Sequence, residues 1–235
     1  MAQKDIIFVS VNYRVGIFGF LAHPELSAEA PYKSSGNYAL LDMIAGLHWI
    51  QANIAAFGGD PKNVTIAGQS AGAFAVNFLC ASPLAKGLFK GAIAESGGSV
   101  MPSPIRPAIT RQQAEEMGTK FAADLHVNSL AELRNLPAET IQKASGGLSA
   151  PYTDGYVMPI SIRDTYLQRK QNDVALLMGW NQEDRLMGKP LGEEAYKGQL
   201  ATRYKTNASL VEAAYPSDKQ GDLNRDESFG VQVHS

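Results

Sequence analysis

One serine, Ser70, stands between an apolar run and a helix-forming run in the segment NVTIAGQSAG, which spans 63–72. Gly68 and Gly72 lie two positions from it on either side. A serine between a buried strand and a helix must lie on a very tight turn, and flanking glycines let neighbouring backbone approach while Oγ stands above the sheet edge. The segment therefore predicts a nucleophile elbow. The alternative is a serine that caps the helix, because that residue type is also favoured at this position.

The helix predicted after Ser70 would direct its N-terminus at the same place. The backbone N–H of Ala71 would then be free to bind the oxyanion that develops when a serine attacks a carbonyl. The segment alone thus predicts both a nucleophile and one oxyanion-hole donor.

Apolar runs and helical periodicities alternate around this segment. The predicted elements are a strand over 5–13, a helix over 38–56, a strand over 64–68, a helix over 71–81, a strand over 87–96, helices over 110–125 and 129–144, and a strand over 173–180. The apolar run over 5–13 is typical of a strand buried on both faces of a parallel sheet, and the run over 64–68 predicts a second buried strand. The alternation of strands with helices predicts βαβ units and an α/β fold.

Composition excludes several classes of function. The chain has 235 residues, 45% of them hydrophobic and 19% charged, with a net charge of −2. This is an ordinary globular composition, and it offers no basic field for nucleic acid or an anionic membrane. We expect no membrane span, because no run of about 18 apolar residues occurs.

Metal and thiol chemistry are not indicated either. The four histidines are scattered without the paired spacing of zinc ligands, so we expect no metal and no cofactor. Cys80 lies in the apolar stretch AVNFLCAS and is predicted to fill core space. The N-terminal residues lack the features of a signal peptide, and localisation stays open.

The longer segment FGGDPKNVTIAGQSAG, 57–72, resembles the active-site serine signature of the type-B carboxylesterases, which include cholinesterases and para-nitrobenzyl esterases. Further segments resemble family blocks in the family's order: NYRVGIFGFLAHPE, SGNYALLD, SPLAKGLFKGAIAESGG and DGYVMP. The resemblance is dense over 5–100 and thin afterwards. It implies an α/β-hydrolase fold, a mostly parallel sheet with helices on both faces, and hydrolysis of a small-molecule carboxylic ester without a cofactor.

The resemblance also implies a triad of serine, acid and histidine in that chain order. Ser70 matches the nucleophile, and Ser96 in AESGG matches a serine that supports the triad's hydrogen bonds. The acid block corresponds to GWNQEDR, 179–185, where an ungapped match gives Asp184. Glu183 is the alternative if the turn is rotated. Arg185 stands where the family has glycine, and its charge would stabilise an ionised carboxylate.

The histidine of the triad has two candidate positions. His234 follows the acid, and Phe229, Val231 and Val233 alternate before it as in a strand, which would suit a catalytic base. However, DESFGVQ, 226–232, resembles a late helix that precedes the family's histidine block. We therefore expect the base beyond this chain, with His234 as the alternative.

The family's His-Gly-Gly-Gly block, which completes the oxyanion hole, has no match in this sequence. We therefore expect one α/β-hydrolase domain, incomplete at both ends, over 1–235: a sheet core with the elbow over 1–100, lid-like helices over 101–170, and the acid-bearing strand with following helices over 171–235. Such a chain alone is expected to be inactive. The alternatives are a non-catalytic relative used for binding or adhesion and an inactive truncated product, but the intact Ser70 favours an esterase.

Overall fold

The computed structural model of the chain describes residues 2–98, 100, 108–144, 150–181 and 192–214. Its strands are β1 (Thr65–Gln69), β2 (Gly91–Glu95) and β3 (Ala175–Gly179). Its α-helices are α1 (Gly16–Phe20), α2 (Pro24–Glu29), α3 (Tyr38–Asn53), α4 (Ala71–Ala81), α5 (Arg111–Asp124), α6 (Leu130–Arg134), α7 (Ala138–Ala144), α8 (Ile162–Leu167), α9 (Glu193–Tyr204) and α10 (Ala208–Ala214). Short 3₁₀ turns occupy Ala2–Lys4, Ile54–Phe57, Pro83–Ala85 and Lys205–Asn207.

The strands form a three-stranded parallel sheet in the order β1-β2-β3. Thr65 pairs with Gly91, and Gly91 pairs with Ala175, so the three strands begin and end in register. The predictions of these strands, of α3 and of α4 are confirmed to within a few residues. Because the sheet is parallel, all three carboxyl ends lie at one edge, where α/β folds place their sites.

The main core joins β2 to the helices α3 and α4. Its fully or nearly fully buried side chains include Leu40, Leu47, Val76, Leu79, Ala92 and Ala94. A smaller cluster packs Ile17 of α1 against Phe121, Leu130 and Leu133 of α5 and α6. The turn at Ser70 is therefore anchored on both sides, by β1 in the sheet and by α4 in the core.

The strand predicted over 5–13 is wrong, because residues 6–15 carry no helix or strand. Several of its apolar side chains are exposed, Ile6 at 51% and Phe8 at 68%. An apolar run becomes a strand only when a neighbour accepts its ladder hydrogen bonds, and no described strand lies beside this segment. Val11 and Ile7 instead approach Gly46 and Gly59, to within 3.1 Å of where a Cβ would stand on each glycine.

Burial is predicted for the strands over 5–13 and 64–68, whereas among the described strands only β2 is mostly buried. All five residues of β3 are exposed, with Leu177 at 65%, and β1 alternates between exposed and half-buried positions. In the described part of the chain, β1 and β3 are edge strands with one neighbour each. Apolar composition therefore predicts that a strand can be buried, but it does not predict that another element covers it.

The helices predicted between β2 and β3 are present in the structure, but one of them is divided in two. The helix predicted over 110–125 is confirmed as α5, and Thr110 forms a capping box at its start. The single helix predicted over 129–144 is instead two helices, α6 and α7, on either side of Pro137. Proline lacks an N–H and clashes with the preceding turn, so Pro137 does not continue α6 and stands directly before the first residue of α7. The short helices α1, α2 and α8 were not predicted.

The chain divides into two compact units, Met1–Gly179 and Trp180–Ser235. The first holds the sheet and helices α1 to α8. In the second, Tyr196 and Leu200 of α9 are buried, and Ala208 and Val211 of α10 pack against them.

Among the described residues, one helical stretch, Tyr38–Phe57, is long and apolar enough to cross a membrane by length and composition alone. Its residues Leu40, Ile44, Leu47, Ile50 and Ile54 belong to the main core. Core helices of globular proteins pass the same test, so this is weak evidence for a span.

Candidate active site

Ser70 forms a sharp turn between β1 and α4. Its backbone has φ 53° and ψ −115°, a combination that non-glycine residues rarely adopt and that costs about 1–3 kcal/mol. Its N–H donates to the carbonyl of Glu95 at 2.9 Å, which extends the β1–β2 ladder by one residue. The residue is exposed. The sheet and helix together therefore hold this serine in a strained conformation at an exposed position.

The two flanking glycines have different roles. A Cβ on Gly68 would lie 2.4 Å from the carbonyl carbon and 2.5 Å from the carbonyl oxygen of Gly72, too close for any side chain. A Cβ on Gly72 would meet nothing within 4 Å. The prediction that backbone approaches closely at this turn is thus right for Gly68, whereas Gly72 supplies the approaching backbone and itself has room for a methyl group.

The capping alternative for Ser70 is wrong. Ser70 occupies the N-cap position of α4, but its side chain makes no capping hydrogen bond. By contrast, Thr110, Ser129 and Ser161 all accept a backbone N–H at the start of their helices. The Ser70 hydroxyl therefore lies at the N-terminus of α4 without capping it.

Ala71 is the first residue of α4, and it is exposed. The first intrahelical bond at this end runs from Phe74 N to Ser70 O at 3.1 Å. The N–H groups of Ala71, Gly72 and Ala73 consequently have no acceptor inside the helix, and they carry the positive end of its dipole. This is the arrangement expected of an anion-stabilising turn.

Ser96 repeats the geometry of Ser70 one strand further on. It follows β2, has φ 56°, and its N–H donates to the carbonyl of Gly179 at 2.7 Å. Gly179 ends β3 and begins the segment GWNQEDR. The structure thus brings Ser70, Ala71 and Ser96 to the same edge of the sheet, together with the first residue of the predicted acid block.

Two residues at this edge were missed from the sequence. A Cβ on Gly97 would lie 2.8 Å from both the Ala73 Cβ and the Ser70 carbonyl oxygen, so the turn after β2 packs directly on the elbow. Asn77 of α4 is completely buried and donates from Nδ2 to the carbonyls of Ala73 at 2.8 Å and Gly97 at 3.2 Å. The available signals were two glycines after a strand and one amide in an apolar helical pattern.

The remaining predicted triad members lie outside the described residues: Asp184, its alternative Glu183, the neighbouring Arg185, and His234. Of the described histidines, His23 is buried and accepts the Glu25 N–H at Nδ1, which caps α2. No hydrogen bond joins His23, His48 or His126 to Ser70 in the described part of the chain.

Cys80 fills core space, as predicted. It is 1% exposed in α4, and burial raises its pKa to about 11, so it is a neutral thiol near pH 7. Within the described ranges no group of three or more histidine, cysteine or acidic side chains is placed to hold a metal ion.

A parallel sheet with a strained, exposed serine between the end of a strand and the N-terminus of a helix is the nucleophile-elbow arrangement of the α/β-hydrolase fold. A profile of the Carboxylesterase family matches residues 1–231, and the chain belongs to that family. The esterase that acts on fumonisin B1 in Sphingopyxis macrogoltabida is 37% identical over 236 residues, which cover 95% of this chain and 42% of that protein. Para-nitrobenzyl esterase of Bacillus subtilis (strain 168) is 44% identical over 149 residues, or 63% of this chain and 28% of that protein.

The solved structures agree with this assignment. A thermophilic para-nitrobenzyl esterase superposes with a TM-score of 0.72 at 29% identity, covering 96% of this chain and 49% of its own. The chain has the α/β-hydrolase fold, and the predicted family and fold are confirmed. The chain spans less than half the length of these relatives.

Proposed function

We propose that the protein hydrolyses small carboxylic esters through an acyl-enzyme formed on Ser70. The observation that carries this proposal is the conformation of Ser70 itself. Its backbone is held at φ 53° and ψ −115°, while the residue is exposed and its hydroxyl does not cap the helix. Strain of this kind persists only where surrounding structure imposes it, and it is a feature of functional turns. Membership of a family that includes esterases agrees with this chemistry.

In the proposed reaction, the Ser70 Oγ attacks the ester carbonyl carbon as a base removes its proton. The carbonyl oxygen becomes an oxyanion, which accepts a hydrogen bond from the Ala71 N–H at the positive end of α4. The C–O bond to the alcohol then breaks, and the alcohol leaves with the proton. A water molecule then attacks the carbonyl carbon of the acyl-enzyme in the same way, which releases the carboxylic acid and restores the Ser70 hydroxyl.

A serine hydroxyl needs a histidine to accept its proton and a carboxylate to orient that histidine. We propose Asp184 as the carboxylate, with Glu183 as the alternative. The segment that contains both begins at Gly179, whose carbonyl is bonded by Ser96 N–H at 2.7 Å. Ser96 is proposed to support the triad from the turn after β2.

The test compares Ser70→Ala with Ser129→Ala in the full-length protein that carries this sequence. Ser129 provides a matched control, because it is a true helix cap that accepts the Glu132 N–H at 3.2 Å. Ser70→Ala should lower kcat for para-nitrophenyl acetate by several orders of magnitude, on the order of 10⁶ where a nucleophile has been removed from such a triad. Ser129→Ala should cost about 1 kcal/mol of stability and leave kcat unchanged.

If Ser70→Ala keeps near wild-type turnover, the assignment of the nucleophile is wrong. If the wild-type protein forms no acyl-enzyme with any para-nitrophenyl ester, a non-catalytic binding role is favoured instead.

A further inference from the structure

We propose that Asn77 is a positioning residue for Ser70, acting through the turn at Ser96 and Gly97; this inference rests on the proposed esterase function. Asn77 lies two turns into α4 and is 0% exposed. Its amide links the helix that begins at Ser70 with the turn that follows the neighbouring strand. Its Nδ2 donates to one carbonyl in α4 and to one carbonyl in the turn after β2.

The turn at Gly97 lies very close to the first turn of α4. Gly97 has no side chain, and a Cβ there would lie 2.8 Å from the Ser70 carbonyl oxygen and 3.3 Å from the Phe74 nitrogen. Those two atoms form the first hydrogen bond of α4, at 3.1 Å. The Gly97 backbone therefore lies against the bond that sets the direction in which the helix leaves Ser70. A shift of the Gly97 turn would change the orientation of both the Ser70 hydroxyl and the Ala71 N–H.

Asn77 holds that turn in place. One Nδ2 hydrogen donates to Ala73 O, four residues back in the same helix, and the other to Gly97 O, twenty residues ahead. Both partners are carbonyl oxygens, so the amide can be oriented in only one way. Its Oδ1 is buried and has no partner among the described residues. A buried acceptor without a partner is unfavourable, so an apolar side chain of similar volume would remove that cost and offset part of what the two lost Nδ2 hydrogen bonds contribute to stability.

A role of Asn77 in positioning can therefore be distinguished from a role in stability. A residue kept only for packing should be replaceable by leucine at no cost to catalysis. A residue kept to place the Gly97 turn should lose activity on that replacement while stability is retained. Misplacement by about 1 Å from outside the reacting atoms can lower a rate by about 10²-fold.

Asn172, which lies between α8 and β3, offers a matched control because its side chain bonds to the same helix. Its Nδ2 donates to Leu79 O and Ser82 O, each at 3.0 Å, so it also ties two carbonyls together. This link lies at the carboxyl end of α4, away from Ser70. The two asparagines make the same kind of bond at opposite ends of the helix.

The experiment compares Asn77→Leu, Asn77→Ser and Asn172→Leu in the full-length protein. The serine variant can still donate to the carbonyl four residues back, but its hydroxyl is too short to reach Gly97. Thermal midpoints, kcat and KM for para-nitrophenyl acetate, and hydrogen exchange of backbone amides at 70–74 and 96–98 are measured for each. Both Asn77 variants should lose about 10-fold or more in kcat with KM nearly unchanged, and their amides at 96–98 should exchange faster. The thermal midpoint should stay near that of the wild type in Asn77→Leu, whereas Asn77→Ser also leaves a small cavity and should melt somewhat lower.

Asn172→Leu should change kcat by less than twofold. The proposal is overturned if the Asn77 variants keep wild-type kcat, or if kcat falls only in proportion to a loss of stability that Asn172→Leu reproduces. It is also overturned if exchange at 96–98 is unchanged. Should the wild-type protein itself prove inactive, the proposed function has failed, and the exchange measurement alone decides whether Asn77 fixes the turn.

Discussion

Replacing Gly68 by alanine tests the geometry of the elbow most sharply. The added Cβ would lie 2.4, 2.5 and 2.9 Å from the carbonyl carbon, carbonyl oxygen and Cα of Gly72. Ordinary van der Waals contact for a Cβ begins at 3.4 Å, so about 1 Å must be gained. All three obstructing atoms are backbone at the start of α4, and a rotamer change cannot relieve the overlap.

The magnitude follows from where that movement must occur. Overpacking in a well-packed region costs about 1–3 kcal/mol and occasionally more. Here the backbone of a helix anchored in the core must shift, while Ser70 is already strained. We therefore expect Gly68→Ala to lower the free energy of unfolding by about 3 kcal/mol, near the upper end of that range.

The matched control is Gly72→Ala, because a Cβ there meets nothing within 4 Å. Alanine exceeds glycine in helix propensity by about 0.8–1.0 kcal/mol in a helix interior, and less at the first turn. This variant should be unchanged in stability or up to about 1 kcal/mol more stable.

Urea denaturation of the full-length protein measures both variants, with an unchanged m-value required for a direct comparison. The reasoning is refuted if Gly68→Ala lies within about 0.5 kcal/mol of the wild type, the range of ordinary surface substitutions. It is equally refuted if the two variants are destabilised alike.

Two further predictions concern the carboxylates. Asp184→Asn should lower kcat by about 10³ to 10⁴, as neutralising a triad acid does, while Glu183→Gln should cost little; reversed effects would show that the ungapped match of GWNQEDR is wrong. At Asp42, two hydrogen bonds from the Arg14 side chain, at 2.6 and 2.8 Å, hold the carboxyl pKa below its ordinary 3.8. Its stabilisation is therefore full above the unfolded pKa and is lost as pH falls through the lower folded pKa. Measured by urea denaturation, the stability difference between wild type and Asp42→Asn should be constant above about pH 5 and shrink below about pH 4, and a difference that grew on acidification would contradict this.

The elbow could be predicted from the sequence because its determinants are local. The apolar run before Ser70, the glycine at 68 and the helical run from Ala71 all lie within a few residues. Such a segment favours a strand, a turn and a helix on local grounds, and pairing with β2 then completes the strand. The resemblance to the family added Ser96 and the acid segment at two further strand ends.

The strand that was predicted wrongly and the contact that was missed both depend on residues distant in the chain. The run over 5–13 has strand composition, but only a neighbouring strand makes it one. The contact of Asn77 with Gly97 joins residues twenty positions apart, and its geometry follows from the β1–β2 register rather than from any local pattern. The break before Pro137 was different, because proline marks it in the sequence itself.

The central claim, that Ser70 is the nucleophile, is tested most directly by covalent labelling. The full-length protein is incubated with a fluorophosphonate, digested, and analysed by mass spectrometry of the peptides, while residual ester hydrolysis is followed in parallel. The account predicts one label per molecule, located on Ser70, with activity lost in proportion to labelling and no label on Ser70→Ala. Hydrolysis that persists after complete labelling of Ser70, or a label on another serine that tracks the loss of activity, would contradict it.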